Sequence, residues 1–222
     1  MLLAAASVVF LAVPGAARAE FLLGIYGGVS GTFDSDVDVE SGATDLTLED
    51  VPFDGESFDN PIYYGARGTY WLEGMPSYGV MLDFTHAKAI AGESDIAPTF
   101  DELQFSHGLN TLTLNGLYRH PLSWITPYAG VGLGVSVPHV EIDLAGGGSS
   151  TDGYQFGGLA AQALAGMEFP LGDRFALFAE YKFSYTPLDI DLDGGGSLET
   201  DLFTNQAMLG LSVRFGGGAP GK

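Results

Sequence analysis

From Ile125 to Glu141 the chain reads ITPYAGVGLGVSVPHVE, and this stretch constrains the fold more than any other. At period two, Ala129, Val131, Leu133, Val135 and Val137 share one face, and Tyr128, Gly130, Gly132, Gly134 and Ser136 share the other. Side chains of a β-strand alternate between its faces, so the stretch is a strand with one unbroken apolar side. An apolar face opposite Gly, Ser and Tyr suits hydrocarbon outside and a crowded interior inside, as in a membrane barrel. A soluble sandwich or a lipocalin-like barrel also hides apolar faces, so the alternation has to be weighed with the rest of the chain.

The pattern recurs. Eight strand-like segments are predicted at Phe21–Gly31, Ile62–Leu72, Tyr78–Lys88, His107–Arg119, Thr126–Ile142, Tyr154–Phe169, Arg174–Leu188 and Thr200–Phe215. The links after the second, fourth and sixth are short and turn-like, and the other links are longer and rich in Gly, Ser and Asp. An even strand count with short turns at one end and long loops at the other predicts an all-β fold. The expected form is an eight-stranded antiparallel transmembrane up-and-down β-barrel over residues 20–215. Residues 1–19, with the apolar run Leu2–Val13 and the small-residue site Ala17-Arg18-Ala19, read as a cleavable signal peptide. Residues 216–222 form a Gly-rich tail beyond Phe215. The expected location is the outer membrane of a Gram-negative bacterium, and the expected state is a monomer.

Parity then assigns the inner face. Arg67, Lys182 and Arg214 fall inside with Asp83, Glu168 and Glu180. Three cations against three anions is what a narrow closed interior requires, because unpaired buried charge is costly. Eight strands leave room for side chains, so a plugged barrel is expected rather than an open pore.

The chain lacks cysteine, which removes disulfides and thiolate metal sites from consideration. Its formal charge of −20 excludes nucleic acid as a natural partner, since phosphate binding needs clustered Lys and Arg. Of the 28 acidic residues, 22 lie in or beside the four long loops, where Lys88 is almost the only cation. Solvated loops kept soluble by charge are one reading. Divalent cations bridging these carboxylates to the phosphates of lipopolysaccharide are the other. The run from Asp189 to Gly194 has the Asp spacing of a calcium loop, but Ile190 and Leu192 continue strand alternation and Glu199 misses the twelfth position, so it is no EF-hand. Gly130-Val-Gly132-Leu-Gly134 lies mid-strand with the wrong spacing for a phosphate loop, and no flavin or nicotinamide site is evident.

Three of the four histidines fall at one rim. If the mature chain starts at the turn end, His86, His107 and His139 lie at the loop end, and His120 lies in a short turn. By parity His86, Asn110, His139 and Glu141 face outward, toward lipid, at headgroup height. Imidazole beside carboxylate suits proton transfer or a metal site, and an interfacial belt without chemistry is the competing reading. The candidate catalytic residues are His86, His139 and Glu141, which are also the candidate ligands of a divalent metal ion. Asn110, Lys88 and His107 are candidate substrate-binding groups, and His107 with Asp101 or Glu102 is the fallback site.

Several stretches resemble a family. Asp83-Phe-Thr-His-Ala-Lys88, Gly108 to Arg119, and Tyr128 to Glu141 with its Val-Pro-His-Val-Glu ending are similar to the rhizobial-type lipid A oxidases. So are Tyr154-Gln-Phe-Gly-Gly158, Phe178-Ala-Glu-Tyr-Lys182 and Asp201-Leu-Phe-Thr-Asn205. The resemblance implies oxidation, in the outer membrane, of the proximal glucosamine of lipid A to an aminogluconate unit, with oxygen as oxidant. The alternative is a structural or adhesive small barrel in which the acidic loops and inner salt bridges serve stability and surface properties alone.

Overall fold

The computed structural model describes residues 19–42, 44–146 and 150–216. Apart from Ala19 and Gly216, the expected leader and tail lie outside the described residues. In chain order the elements are β1 (Glu20–Thr32), β2 (Ser35–Ser41), β3 (Thr44–Val51), β4 (Phe53–Asp54), β5 (Tyr64–Trp71), β6 (Tyr78–Ala87) and β7 (Ile90–Ala91). They continue with the one-turn helix α1 (Glu93–Ile96), β8 (Phe100–Gln104), β9 (Leu109–Arg119), β10 (Thr126–Leu144), β11 (Ser150–Tyr154), β12 (Gly158–Leu171), β13 (Phe175–Asp191) and β14 (Ser197–Phe215).

Eight of these strands close on themselves in the order β1–β5–β6–β9–β10–β12–β13–β14, with β14 pairing back to β1 and every pair antiparallel. This is the barrel that the alternation predicts. No helix among the described residues is long and apolar enough to cross a membrane. The wall itself faces outward with Ile25, Val131, Leu133, Leu159 and Leu209, each 67–73% exposed. A continuous apolar band of that kind is a liability in water and at home in hydrocarbon.

Aromatic residues mark the edges of the band. Tyr70, Tyr78, Tyr118, Trp124, Phe175 and Phe215 ring the turn end, and Tyr64, Tyr154, Phe156, Phe183 and Phe203 ring the loop end. Rings with an apolar body and a polar tip settle at such interfaces. From Tyr64 to Tyr70 along β5 is roughly 20 Å at about 3.4 Å per residue, which a strand tilt of about 40° converts to about 15 Å of membrane depth.

Inside, charge is paired group by group. Arg67 Nη1 donates to Glu180 Oε2 at 2.6 Å and Nη2 to Tyr128 Oη at 3.1 Å, while its guanidinium lies 3.5 Å from the Phe178 ring centre. Lys182 Nζ donates to Asp83 Oδ2 at 2.5 Å, to Thr85 at 2.9 Å and to Tyr26 at 3.1 Å. Arg214 Nη2 donates to Glu168 at 2.7 Å. A fourth set lies at the turn end, where Arg119 Nη2 sits 2.7 Å from Glu20 Oε2 and Arg214 Nε contacts the other Glu20 oxygen. The interior therefore holds Glu20 and Arg119 beyond the six residues that parity nominated.

The mid-strand glycines give their volume to these side chains. A Cβ on Gly132 would stand 2.0 Å from Asn115 Oδ1, and one on Gly166 would stand 2.5 Å from Tyr128 Oη. Gly134 is tighter still, since its Cβ would meet the Leu112 carbonyl oxygen at 2.0 Å and Thr113 Cα at 2.6 Å. Backbone cannot yield as a side-chain tip can. Gly134→Ala is therefore expected to push β9 from β10 and to cost about 1–3 kcal/mol, read as a lower urea midpoint in detergent micelles.

The long loops differ from the expectation of solvated chain. β10, β13 and β14 rise above the apolar band, and β13 and β14 run on to Asp191 and back from Ser197, so the seventh link is only a tip. β2 and β3 add to the raised end of β14, β8 and β11 pair with opposite edges of raised β10, and β7 and β4 extend β8. The sixth wall strand begins at Gly158, and Tyr154 belongs to β11. Val37, Val39, Phe53, Ile96, Phe100, Leu103, Phe105, Val140, Ile142, Ile190 and Leu198 close a second apolar core over the barrel mouth. The acids between them point outward: Asp36 and Asp38 flank Val37, and Asp189 and Asp191 flank Ile190. The negative charge is the outer face of a folded dome.

Candidate functional site

The site lies where the wall strands β6 and β9 end beneath the dome. Strand alternation turns His86 outward after Leu82 and Phe84, and the register sets it opposite Asn110 of β9, which in turn faces Val137 of β10. His86 Nδ1 and Asn110 Oδ1 are 2.9 Å apart, and the imidazole stacks on Tyr64 with ring centres 4.7 Å apart. His86 is 4% exposed, and its Nε2 is buried without a hydrogen-bond partner. Gly108, at φ +124°, lets the chain pass over this pair. A Cβ there would stand 2.5 Å from His86 Nδ1 and 2.7 Å from Asn110 Nδ2, in a conformation that side-chain-bearing residues rarely adopt.

His139 lies above this row. Its amide donates to the Gly108 carbonyl at 2.9 Å, so it stands two residues beyond Val137 and faces the turn before β9. The imidazole that turn presents is His107, with ring centres 5.0 Å apart. Glu141, next on the same face of β10, joins the two. Its Oε1 shares a short hydrogen bond with His107 Nδ1 and lies 3.3 Å from His139 Nδ1. Ser106 Oγ donates to Oε1 at 3.0 Å and Gln104 Nε2 donates to Oε2 at 2.8 Å, so the carboxylate is held from both sides. On the far side of the His139 ring, Asp152 Oδ1 is 3.5 Å from Nε2, and Tyr154 packs edge-on at 4.6 Å.

The His86–Asn110 pair and His107 line one cleft of about 550 Å³, together with Pro61, Tyr64, Phe84, Val137 and Tyr154, and His139 and Glu141 stand behind His107. Tyr64 and Tyr154 belong to the loop-end aromatic ring, which puts the cleft at headgroup height. Burial, and then the neighbouring carboxylates Glu141 and Asp143, push the Glu102 carboxyl up from the usual range.

The residues nominated from sequence are therefore distributed in three ways. His86 and Asn110 form one pair, and His139 and Glu141 form the second group with His107. The imidazole that completes the trio around Glu141 is His107, because the register leaves His86 lower on the wall. Lys88 is buried, with Nζ 3.5 Å from Glu56 Oε2, and it does not line the cleft. Gln104, Ser106, Gly108 and Asp152 went unnominated. Their only sequence signal is closeness to His107 along the chain or to the continuation of β10.

The family described as outer membrane protein β-barrel domain matches residues 2–215. No curated protein matches the chain. Among solved structures, Neisserial surface protein A is similar at 13% identity, covering 88% of this chain and 97% of that one, with a TM-score of 0.47. Ail, the attachment invasion locus protein of Yersinia pestis, in complex with the heparin analogue sucrose octasulfate, is similar at 14% identity over 89% of this chain and 99% of that one, with a TM-score of 0.42.

Proposed function

The chain belongs to the outer membrane protein β-barrel domain family, and from that premise we propose that it oxidises the proximal glucosamine of lipid A to an aminogluconate unit at its outer rim. One observation carries this reading. His86 and His107 line a cleft on the outside of the wall at the loop-end aromatic ring, where a lipid headgroup arrives from the leaflet, and Glu141 stands behind His107. The resemblance of Asp83-Phe-Thr-His-Ala-Lys88 and Val137-Pro-His-Val-Glu141 to lipid A oxidases supplies the reaction.

The chemistry balances with dioxygen as the co-reactant. The anomeric hydroxyl loses its proton to a base, the anomeric C–H bond breaks, and its electron pair reduces dioxygen to hydrogen peroxide. The ring carbon becomes a lactone carbonyl, and water opens it to the acid. His107, held by Glu141 and Ser106, places its ring at the cleft edge beside the sugar. His86, fixed by Asn110 and Tyr64, forms part of the cleft wall beside the sugar.

Lipid A from cells making the protein is expected to gain one oxygen atom on its proximal unit under aerobic growth, by mass spectrometry. Unaltered lipid A in those cells, with the protein shown to be folded in the outer membrane, overturns the proposal.

A further inference from the structure

We infer that His107, His139 and Glu141 form a binding site for one divalent transition-metal ion. Each of the three supplies one ligand atom, and these atoms all lie within 4.8 Å of one another. Two imidazole nitrogens with one carboxylate oxygen on one side of an ion leave its other positions open, the ligand set associated with non-haem iron(II) and oxygen chemistry. The mixed N/O set favours iron, cobalt, nickel or zinc over calcium and magnesium, which take oxygen ligands.

The surroundings are those of a built site. Metal-ligating histidines donate their second nitrogen to a carboxylate or carbonyl, and ligating carboxylates are themselves hydrogen-bonded. With Nδ1 of His139 toward Glu141, its Nε2 faces Asp152 at 3.5 Å. Glu141 is gripped by Gln104 and Ser106. An independent mark is His139 Nδ1, which is buried and makes no hydrogen bond although it lies 3.3 Å from a carboxylate oxygen. Glu102, Asp143 and Asp152 add negative charge nearby, and Lys88 is engaged with Glu56. The ion's role in oxygen chemistry rests on the function proposed above, and its binding does not. When bound, it supplies a centre for oxygen activation beside the sugar, which answers the want of a flavin or nicotinamide site.

The test is titration of cobalt(II) into the refolded, chelator-treated protein in detergent micelles, followed by its visible absorption. One equivalent is expected to saturate the wild type. Binding is expected to weaken at least about tenfold in Glu141→Gln and in His107→Ala, and by far less, about twofold at most at physiological ionic strength, in a variant carrying Asp36→Asn and Asp38→Asn on the dome. His107 is an exposed side chain, so its loss does not endanger folding, and heat-modifiable gel migration verifies each barrel. Absence of saturable binding to the wild type overturns the inference, as does wild-type affinity in both site variants. Saturable binding without a change in lipid A sinks the proposed reaction alone, and lipid A oxidation by a protein that binds no cobalt sinks the metal site alone.

Discussion

Lys182→Met is expected to destabilise the barrel by about 3–5 kcal/mol, the usual result of removing one partner from a buried ion pair. Lys182 is wholly buried, and its ammonium donates to Asp83, Thr85 and Tyr26. Methionine fills similar volume but leaves the Asp83 carboxylate with only Tyr26 and Gln162 as donors in a site 1% exposed. The companion variant Lys182→Met with Asp83→Asn removes both charges and is expected to recover most of the loss, because a neutral amide can use the same neighbours. Urea unfolding in micelles, with each variant and the pair, measures the cycle. A loss below about 1 kcal/mol in the single variant means that water reaches Asp83 and that the barrel is not plugged there.

Glu141→Gln is expected to lower the rate of lipid A oxidation by about 10²–10⁴-fold with little change in barrel stability. Glu141 contacts His107, His139, Gln104 and Ser106. Glutamine has the same shape, but it removes the charge that orients both imidazoles. The side chain stands outside the wall and partly exposed, so no core packing is lost. The readout is conversion of lipid A by equal amounts of folded protein. Full activity in Glu141→Gln would leave the upper trio without a catalytic part.

Which side of the wall each residue faces was legible in the sequence, because parity in a strand is fixed by the backbone. Leu112, Leu114 and Asn110 fall outside, Thr113 and Asn115 inside, and Arg119 follows the same count although it was not among the six charges that parity nominated for the interior. Glu20 was obscured by its place at the expected cleavage boundary. Height along the wall was another matter. Whether His139 stands level with His86 depends on a backbone turn at Gly108 and on pairing across β9, and neither leaves a periodic mark. The dome was misread for a related reason. Asp-Val-Asp-Val-Glu and Asp-Ile-Asp-Leu-Asp show strand alternation, but their acidic half dominates the composition and their apolar half finds its core only through contacts distant in sequence.

The arrangement of charge has an electrical consequence. Inside the barrel, the cations Arg67, Arg119, Lys182 and Arg214 offset the anions Glu20, Asp83, Glu168 and Glu180, so nearly all of the formal charge of −20 resides on one side of the membrane. A surface with that much charge of a single sign holds a potential of several thermal units, and a mobile ion responds exponentially to it. For a doubly charged ion the exponent doubles, so the enrichment is the square of that for a singly charged ion. The rim imidazoles thus sample a divalent-ion concentration set by the dome rather than by the bulk medium. Added monovalent salt collapses that potential over a screening length of about 8 Å at physiological ionic strength. Apparent occupancy at the rim will therefore fall with ionic strength even though no ligand has changed.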